Sequence, residues 1–151
     1  MATDSELVGL ARRFLYVREA SPNAGQRVEA IQRWSGGEKG QSWCAHFATM
    51  LLDLAFGGSA PIPRTGSCDE IYQLAKAKGW LTATPAVGDL FLYVRDGTED
   101  AHHVGIVTSV APLRGIAGNT SADGKSSNGD RVAEHDISAH VFVHYPREGI
   151  A

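Results

Sequence analysis

The stretch that decides the fold is Gln41-Ser42-Trp43-Cys44-Ala45-His46-Phe47, which runs directly into the apolar segment Phe47-Ala48-Thr49-Met50-Leu51-Leu52-Asp53-Leu54-Ala55. Cys44 begins a stripe at the i, i+3, i+4, i+7 spacing of a buried helix face. The pattern predicts a helix that follows a glycine-rich loop and carries a thiol in its first turn. Because a helix N-terminus carries about half a positive charge and unpaired N–H groups, it favours the thiolate and lowers the pKa of a cysteine. Cys44 is therefore a candidate nucleophile, and a small buried hydrophobic residue is the alternative interpretation.

Length and composition predict one globular domain over residues 1–151. The chain is 43% apolar and 21% charged, with a net charge of −3 and a pI of about 6.0. That composition can bury a core, and it offers no broad basic face for nucleic acid or for an anionic membrane. The first apolar stretch is broken by Arg12 and Arg13, which fits neither a signal peptide nor a membrane span. We therefore expect neither a nucleic-acid partner nor membrane insertion.

Helical patterns fill the first half of the chain. The first predicted helix has Asp4 or Ser5 as its N-cap, and the fourth opens at a capping box formed by Ser67 and Glu70. Cys68 then lies in the first turn of the fourth helix, and a second reactive thiol or a disulfide partner are the alternative roles. The predicted helices span residues 4–19, 25–34, 44–55 and 67–78.

From residue 85 the pattern changes to short alternating runs separated by turns rich in Gly, Asp, Asn and Pro. The predicted strands span residues 89–94, 103–110, 113–117, 130–135 and 141–145. Helices first and a meandering antiparallel sheet second predict an α+β domain, in which the N-terminal helices pack on a C-terminal sheet.

A cysteine nucleophile needs a base, and the base needs a third group that orients it. His103 opens a strand, with Gly105 leaving room beside it, whereas His102 faces the opposite side because strand side chains alternate. Asn119 ends the next strand of the meander, where its amide oxygen could accept the imidazole N–H. The alternatives are a surface or hydrogen-bonded imidazole for each histidine and a simple turn for Gly118-Asn119.

Four motifs in order carry a resemblance to a known family: Trp43-Cys44-Ala45-x-Phe47, Pro85-x-x-Gly88-Asp89-Leu90, His103-Val104-Gly105-Ile106-Val107, and Gly118-Asn119-Thr120 followed by Asp123-Gly124 and Gly129. From about residue 41 to residue 147 the chain resembles the CHAP domain of cysteine- and histidine-dependent amidohydrolases/peptidases. The resemblance implies a papain-like fold, with residues 1–40 as a helical extension and residues 41–147 as the catalytic core. It also implies cleavage of peptidoglycan, as an N-acetylmuramoyl-L-alanine amidase or as an endopeptidase of the stem peptide or cross-bridge.

By the same resemblance Cys44 is the nucleophile, His103 the general base and acid, and Asn119 the orienting residue, with no metal or other cofactor. One position departs from the family pattern. Many members carry Glu-Gly-Asn, and here Ala117 replaces the acidic residue. The chain then has Asp89 or Asp123 as other candidates for an acid beside the imidazole.

Hydrolysis of an amide also requires groups that stabilise the oxyanion and groups that bind the substrate. We expect the backbone N–H of Cys44 and the side chain of Gln41 to stabilise the oxyanion, the alternative for Gln41 being a polar loop residue. Trp43, Tyr93 and His102 are expected to line the substrate groove, although aromatic residues also serve as core packing.

Two other classes of function remain open from the sequence. One is a non-catalytic cell-wall or protein binding module on the same fold. The other is a metal site made by Cys44, His46, His102 and His103, since thiolate and imidazole are zinc ligands; otherwise His46 is interpreted as a rim residue.

The resemblance leaves several biological settings for a hydrolase: a phage lysin, a virion-associated enzyme or a secreted bacteriolytic effector. Without a signal peptide, we expect a protein made in the cytoplasm that reaches the cell wall through another system. Its expected partners are peptidoglycan and a carrier, a holin or an immunity protein, and we expect a monomer.

Overall fold

The computed structural model describes residues 2–121 and 128–148, and over these residues the chain forms four helices followed by six strands. The helices come first, and the strands all lie in the second half, as the sequence predicts for an α+β domain. The helices are α1 (Ala2–Arg12), α2 (Gln26–Trp34), α3 (Cys44–Ala55) and α4 (Cys68–Lys78). The strands are β1 (Leu81–Thr82), β2 (Leu90–Val94), β3 (Ala101–Val110), β4 (Leu113–Thr120), β5 (Arg131–Asp136) and β6 (Val141–Val143).

Helices α2, α3 and α4 confirm the sequence predictions within a residue or two. The predicted capping box of α4 is present, because the hydroxyl oxygen of Ser67 accepts a hydrogen bond from the backbone N–H of Glu70 at 3.2 Å. The helix ends at Gly79, which adopts the left-handed conformation (φ +73°) that commonly terminates helices.

The prediction for the first helix was wrong in its N-cap and at its C-terminal end. Helix α1 starts at Ala2 and stops at Arg12, so neither Asp4 nor Ser5 is its N-cap. Beyond Arg12 the chain is drawn toward the sheet, where the carbonyl of Val17 accepts from the backbone N–H of Val132 at 3.1 Å. This long-range pairing competes successfully with the helical pattern of residues 13–19.

The six strands form one antiparallel sheet in the order β1-β6-β2-β3-β4-β5. Strands β2 to β5 are the predicted meander, and β6 returns between β1 and β2. Strand β1 was not predicted from the sequence, because it contributes only two residues and is specified by its pairing with β6.

The two faces of the sheet pack against different neighbours. One face carries Val104, Ile106 and Ile116 in the same apolar cluster as the helices, whereas Phe91 and Val107 belong to a second cluster on the other side. Helix α3 contacts β3 and β4, and α1 and α2 pack on α3. The N-terminus of α3 is thereby held against the two central strands.

Gly118 allows α3 to approach β4 closely. A Cβ atom on this residue would lie 2.7 Å from Cζ3 of Trp43 and 2.9 Å from Cβ of Phe47. Only glycine fits this spacing without displacing the helix, and Asn119 follows directly in the chain.

The two ends of the described chain are joined by Arg147. Its guanidinium donates to Asp4 Oδ1 at 2.7 Å and to Asp89 Oδ1 at 2.6 Å, and Asp89 is fully buried. The ring of His144 lies 2.7 Å from the same Asp89 oxygen. Across the described residues, none of the helices has the length and apolar character needed to cross a bilayer.

Candidate active site

Cys44 is the first residue of α3, as predicted, and only 4% of it is exposed. The preceding residue, Trp43, is fully buried, and its indole N–H donates to Glu19 Oε1 at 2.9 Å. This anchor fixes the loop that enters the helix. The thiol therefore lies at the positive end of a helix that is held rigidly on the sheet.

The thiol of Cys68 contacts the thiol of Cys44. Cys68 is the first residue of α4, and its Sγ lies 3.6 Å from Sγ of Cys44, with both cysteines unbonded and buried. From the sequence, Cys68 is predicted to be a first-turn residue beside a cap, with a second reactive thiol or a disulfide partner as the alternatives. The signal that could have found the contact is that each cysteine begins a helix, so that two helix N-termini can converge on one point.

The neighbours of the two sulfurs shift the pKa values of the two cysteines in opposite directions. The pKa of Cys44 is well below its usual value, because the Cys68 thiol donates a hydrogen bond to it and because His103 and the backbone N–H of Val104 also favour the thiolate; burial acts in the opposite direction. The pKa of Cys68 is raised by the Cys44 anion, by burial and by the charge of Asp69. The surroundings therefore favour the thiolate form of Cys44 and the thiol form of Cys68.

His103 lies beside the thiolate at the start of β3 and is fully buried. Its ring stacks on Tyr93, with centroids 5.5 Å apart and planes inclined by 29°. The imidazole is near enough to lower the pKa of Cys44, yet among residues 2–121 and 128–148 neither ring nitrogen is aligned with a hydrogen-bond partner. Catalytic hydrogen bonds are often loose without substrate and tighten when it binds.

Asn119 lies in β4, which pairs with β3, the strand that carries His103. The pairs Ile106–Ile116 and Val107–Gly115 define the register of the two strands, and β4 becomes irregular between Ala117 and Thr120. Asn119 is 1% exposed, has a left-handed backbone (φ +54°), and its carbonyl accepts from Gly129 N–H at 3.0 Å. Neither atom of its side-chain amide bonds to any described residue. The structure thus places the two residues on adjacent strands without a hydrogen bond between their side chains.

Of the two candidate acids, Asp89 has partners other than His103. The Asp89 carboxylate is occupied by Arg147, His144 and the backbone N–H of Ala86, the last at 2.9 Å. Asp123 lies outside the described residues, as does Gly124 of the same motif. Ala117 is fully buried in the second apolar cluster.

Gln41 borders a polar groove of about 480 Å³. Ser42 and His46, which flank Cys44 in the chain, also line this groove, as does Ser67, which precedes Cys68. His46 is only 3% exposed, so it is more enclosed than a rim residue, and burial lowers its pKa. Its ring contacts the Gln41 side chain, a contact that the sequence did not indicate.

The three residues expected in a substrate groove have different environments. The prediction for Trp43 was wrong, because the close packing of its ring on Gly118 places it in the core. Tyr93 lines a separate groove of about 410 Å³ and lies with its ring centroid 6.2 Å from that of His102. Burial raises the pKa of Tyr93 and lowers that of His102.

The alternative metal site does not assemble. In the part of the chain that the structure describes, no three His, Cys, Asp or Glu side chains are grouped so that they could hold a metal ion. His46 instead hydrogen-bonds Ser35 and Gln41, and His103 stacks on Tyr93.

A helix-borne thiol packed against an antiparallel sheet that carries a histidine is the arrangement of the papain-like α+β class. A comparison with protein families matches residues 35–119, more than half of the chain, to the CHAP domain. The chain therefore belongs to the CHAP domain family. CHAP domains are typically cysteine- and histidine-dependent amidohydrolases or peptidases that act on peptidoglycan. Searches of curated proteins and of solved structures found no match.

Proposed function

We propose that this protein hydrolyses an amide bond of peptidoglycan with Cys44 as its nucleophile. The observation that carries the proposal is the buried Cys44 sulfur at the start of α3, which lies 3.6 Å from Sγ of Cys68 and whose pKa is lowered by the Cys68 thiol and by His103. A thiolate is the reactive form of cysteine, and it is costly to bury without such partners. Family membership supplies the substrate class.

The proposed reaction has two acyl-transfer steps. The Cys44 sulfur attacks the amide carbonyl carbon, and the C–N bond breaks as His103 gives a proton to the leaving amine. Water, deprotonated by His103, then attacks the thioester, releasing the carboxylic acid and restoring the thiolate. The backbone N–H of Cys44 and the side-chain amide of Gln41 are the proposed donors to the oxyanion in both steps.

Asn119 is the proposed orienting residue for His103. Its place on the strand next to that of His103, and a side-chain amide that has no hydrogen-bond partner among the described residues, support this role. An amide oxygen that accepts the imidazole N–H would fix the tautomer without a carboxylate, which fits the presence of Ala117 in place of the acid. His103 is the proposed general acid and base, and removing such a residue typically reduces the rate by a factor of about 10² to 10⁴.

The polar groove that Gln41 lines suits a polar, extended substrate. It is lined by Ser42, Ser67 and Glu70 together with glycine backbone, which offer hydrogen bonds to peptide and sugar groups. On the other side of His103, Tyr93 and His102 are the proposed contacts for the remainder of the substrate.

A non-catalytic wall-binding or protein-binding module is the second candidate. The observation that favours it is the burial of Cys44, His103 and Asn119, which leaves almost none of their surface open to a substrate. In either case the proposed setting is a phage lysin, a virion-borne enzyme or a secreted effector. Such a protein would be monomeric, made in the cytoplasm, delivered by another system, and partnered by a carrier, a holin or an immunity protein.

The test compares the wild-type protein with Cys44→Ala on peptidoglycan purified from Gram-negative and Gram-positive walls. We expect the wild type to release new amines without new reducing ends, and Cys44→Ala to release none. Mass spectrometry of the fragments then identifies the bond. Circular dichroism shows whether the variant is folded. If the two proteins were equally inert on every wall while both bound it, the binding module would replace the hydrolase.

A further inference from the structure

His46 occupies a slot made for its ring. It follows Cys44 by two residues on α3, and its imidazole lies between Gly37 and Gly66. A Cβ atom on either glycine would come within 2.4 Å of the ring. The backbone on both sides therefore fixes the ring plane, and the helix fixes the ring relative to the thiol.

The hydrogen bonds around the ring have only one consistent polarity. The backbone N–H of Glu38 can only donate, so the Gln41 atom that it meets at 3.1 Å is the amide oxygen. His46 Nε2 lies 3.1 Å from that same oxygen and must also be a donor. In neutral imidazole, to which burial biases this ring, Nδ1 is then an acceptor for the Ser35 hydroxyl at 2.8 Å.

With these donors and acceptors assigned, the NH₂ group of the Gln41 side chain is available to donate to another partner. Its oxygen already accepts two hydrogen bonds, so the two N–H groups of the amide are its remaining hydrogen-bonding capacity. The main chain of Gln41 is fixed as well, because its carbonyl accepts from Nε2 of the buried Gln32 at 2.8 Å. An exposed glutamine is thus held at both its backbone and its side chain.

We infer that His46 is a positioning residue for the proposed hydrolysis, holding the Gln41 amide so that its N–H groups point to the oxyanion. This inference rests on the proposed function. A preorganised donor needs no reorientation when charge develops on the carbonyl oxygen, which is why such donors contribute strongly to rate. Without His46 the Gln41 side chain would regain its rotamers, and the donor would have to be ordered in every turnover.

The experiment compares His46→Met, which keeps a long side chain without a donor, with His46→Gln, which restores an N–H group near the position of Nε2. Each is made in the wild type and in Gln41→Ala, and amine release from purified peptidoglycan is measured. We expect kcat to fall about tenfold to a hundredfold in His46→Met, to recover substantially in His46→Gln, and to fall about a hundredfold in Gln41→Ala. In the Gln41→Ala background, neither change at His46 should reduce kcat further.

Two further measurements separate positioning from folding. Alkylation of Cys44 by iodoacetamide requires no oxyanion donor, so its rate should be the same in His46→Met and wild type. Thermal unfolding reports the stability of each variant.

Additive losses in the double variant, or equal losses in His46→Met and His46→Gln, would overturn the positioning role. Unchanged kcat in His46→Met would overturn it as well, while leaving the proposed hydrolysis intact. No amine release by the wild type would overturn both conclusions together.

Discussion

Cys44 and Cys68 have identical side chains and each begins a helix, yet their chemistry differs. The hydrogen bond between the sulfurs is symmetrical, since either could donate. The difference comes from the neighbours: His103 and the Val104 N–H face Cys44, whereas the Asp69 carboxylate adjoins Cys68. A few nearby charges and dipoles therefore assign the thiolate to Cys44 and make Cys68 its donor.

Replacing Cys68 should change the pH at which Cys44 reacts. Cys68→Ala removes a donor to the thiolate, so the Cys44 pKa should rise by about one to two pH units, the equivalent of a hydrogen bond to a charged group. Cys68→Ser keeps a hydroxyl donor and should stay near the wild-type value. The measurement is the iodoacetamide rate against pH, which rises as the thiolate forms. Identical profiles for Cys68→Ala and wild type would refute this role for Cys68.

Local patterns were sufficient to predict most elements. Periodicity and capping specify α2, α3 and α4, and alternation with turn residues specifies the meander β2 to β5. The end of α1 and the existence of β1 depend on pairing with distant segments, which a local pattern does not contain.

The candidate site shows the same division between local and long-range information. The positions of Cys44, His103 and Asn119 follow from the ends of predicted elements, and the pairing of β3 with β4 places the last two on adjacent strands. The contacts of Cys68 with Cys44 and of His46 with Gln41 arise where separate segments meet, so that no spacing in the sequence marks them. Trp43 was misplaced because only the close approach of α3 to Gly118 shows that the ring is in the core.

The contact between α3 and β4 can be tested with two glycines. Gly118→Ala puts a methyl group against Trp43 and must displace α3, so both stability and amine release should fall, with a loss of stability of about 1–3 kcal/mol. Gly9→Ala is the matched control, since Gly9 lies in α1 with no atom within 4 Å of the new methyl group. It should increase stability by about 0.5–1 kcal/mol. Urea unfolding measures both changes, and a neutral Gly118→Ala would show that the helix is not so tightly placed.

The candidate catalytic residues come from both halves of the chain. The helices of the first half supply Cys44 and Gln41, and the sheet of the second half supplies His103 and Asn119. The geometry of the site therefore depends on how firmly the halves are packed. The buried Asp89 carboxylate contributes to this packing, since its partner Arg147 also binds Asp4 of α1.

Neutralising Asp89 should destabilise the protein far more than neutralising an exposed acid. Asp89→Asn leaves the partly buried guanidinium of Arg147 without one of its two carboxylates, and breaking such a pair costs about 3–5 kcal/mol. Asp100→Asn removes the exposed ion pair with Arg95 and should cost less than about 1 kcal/mol. The midpoints of urea unfolding compare the two variants. Equal losses would mean that the Asp89 cluster contributes no more than a surface pair.

The bond between Arg147 and Asp4 also makes the backbone nearly a closed ring. A linker of a few residues could join these positions, and the chain could be reopened at the exposed turn around Gly97 as a circular permutant. A fusion partner attached before Asp4 or after Arg147 would emerge from the same corner of the molecule. A fusion partner can therefore be placed at either end of the domain with the same geometry. The length of the linker alone then sets the distance between the fusion partner and the polar groove.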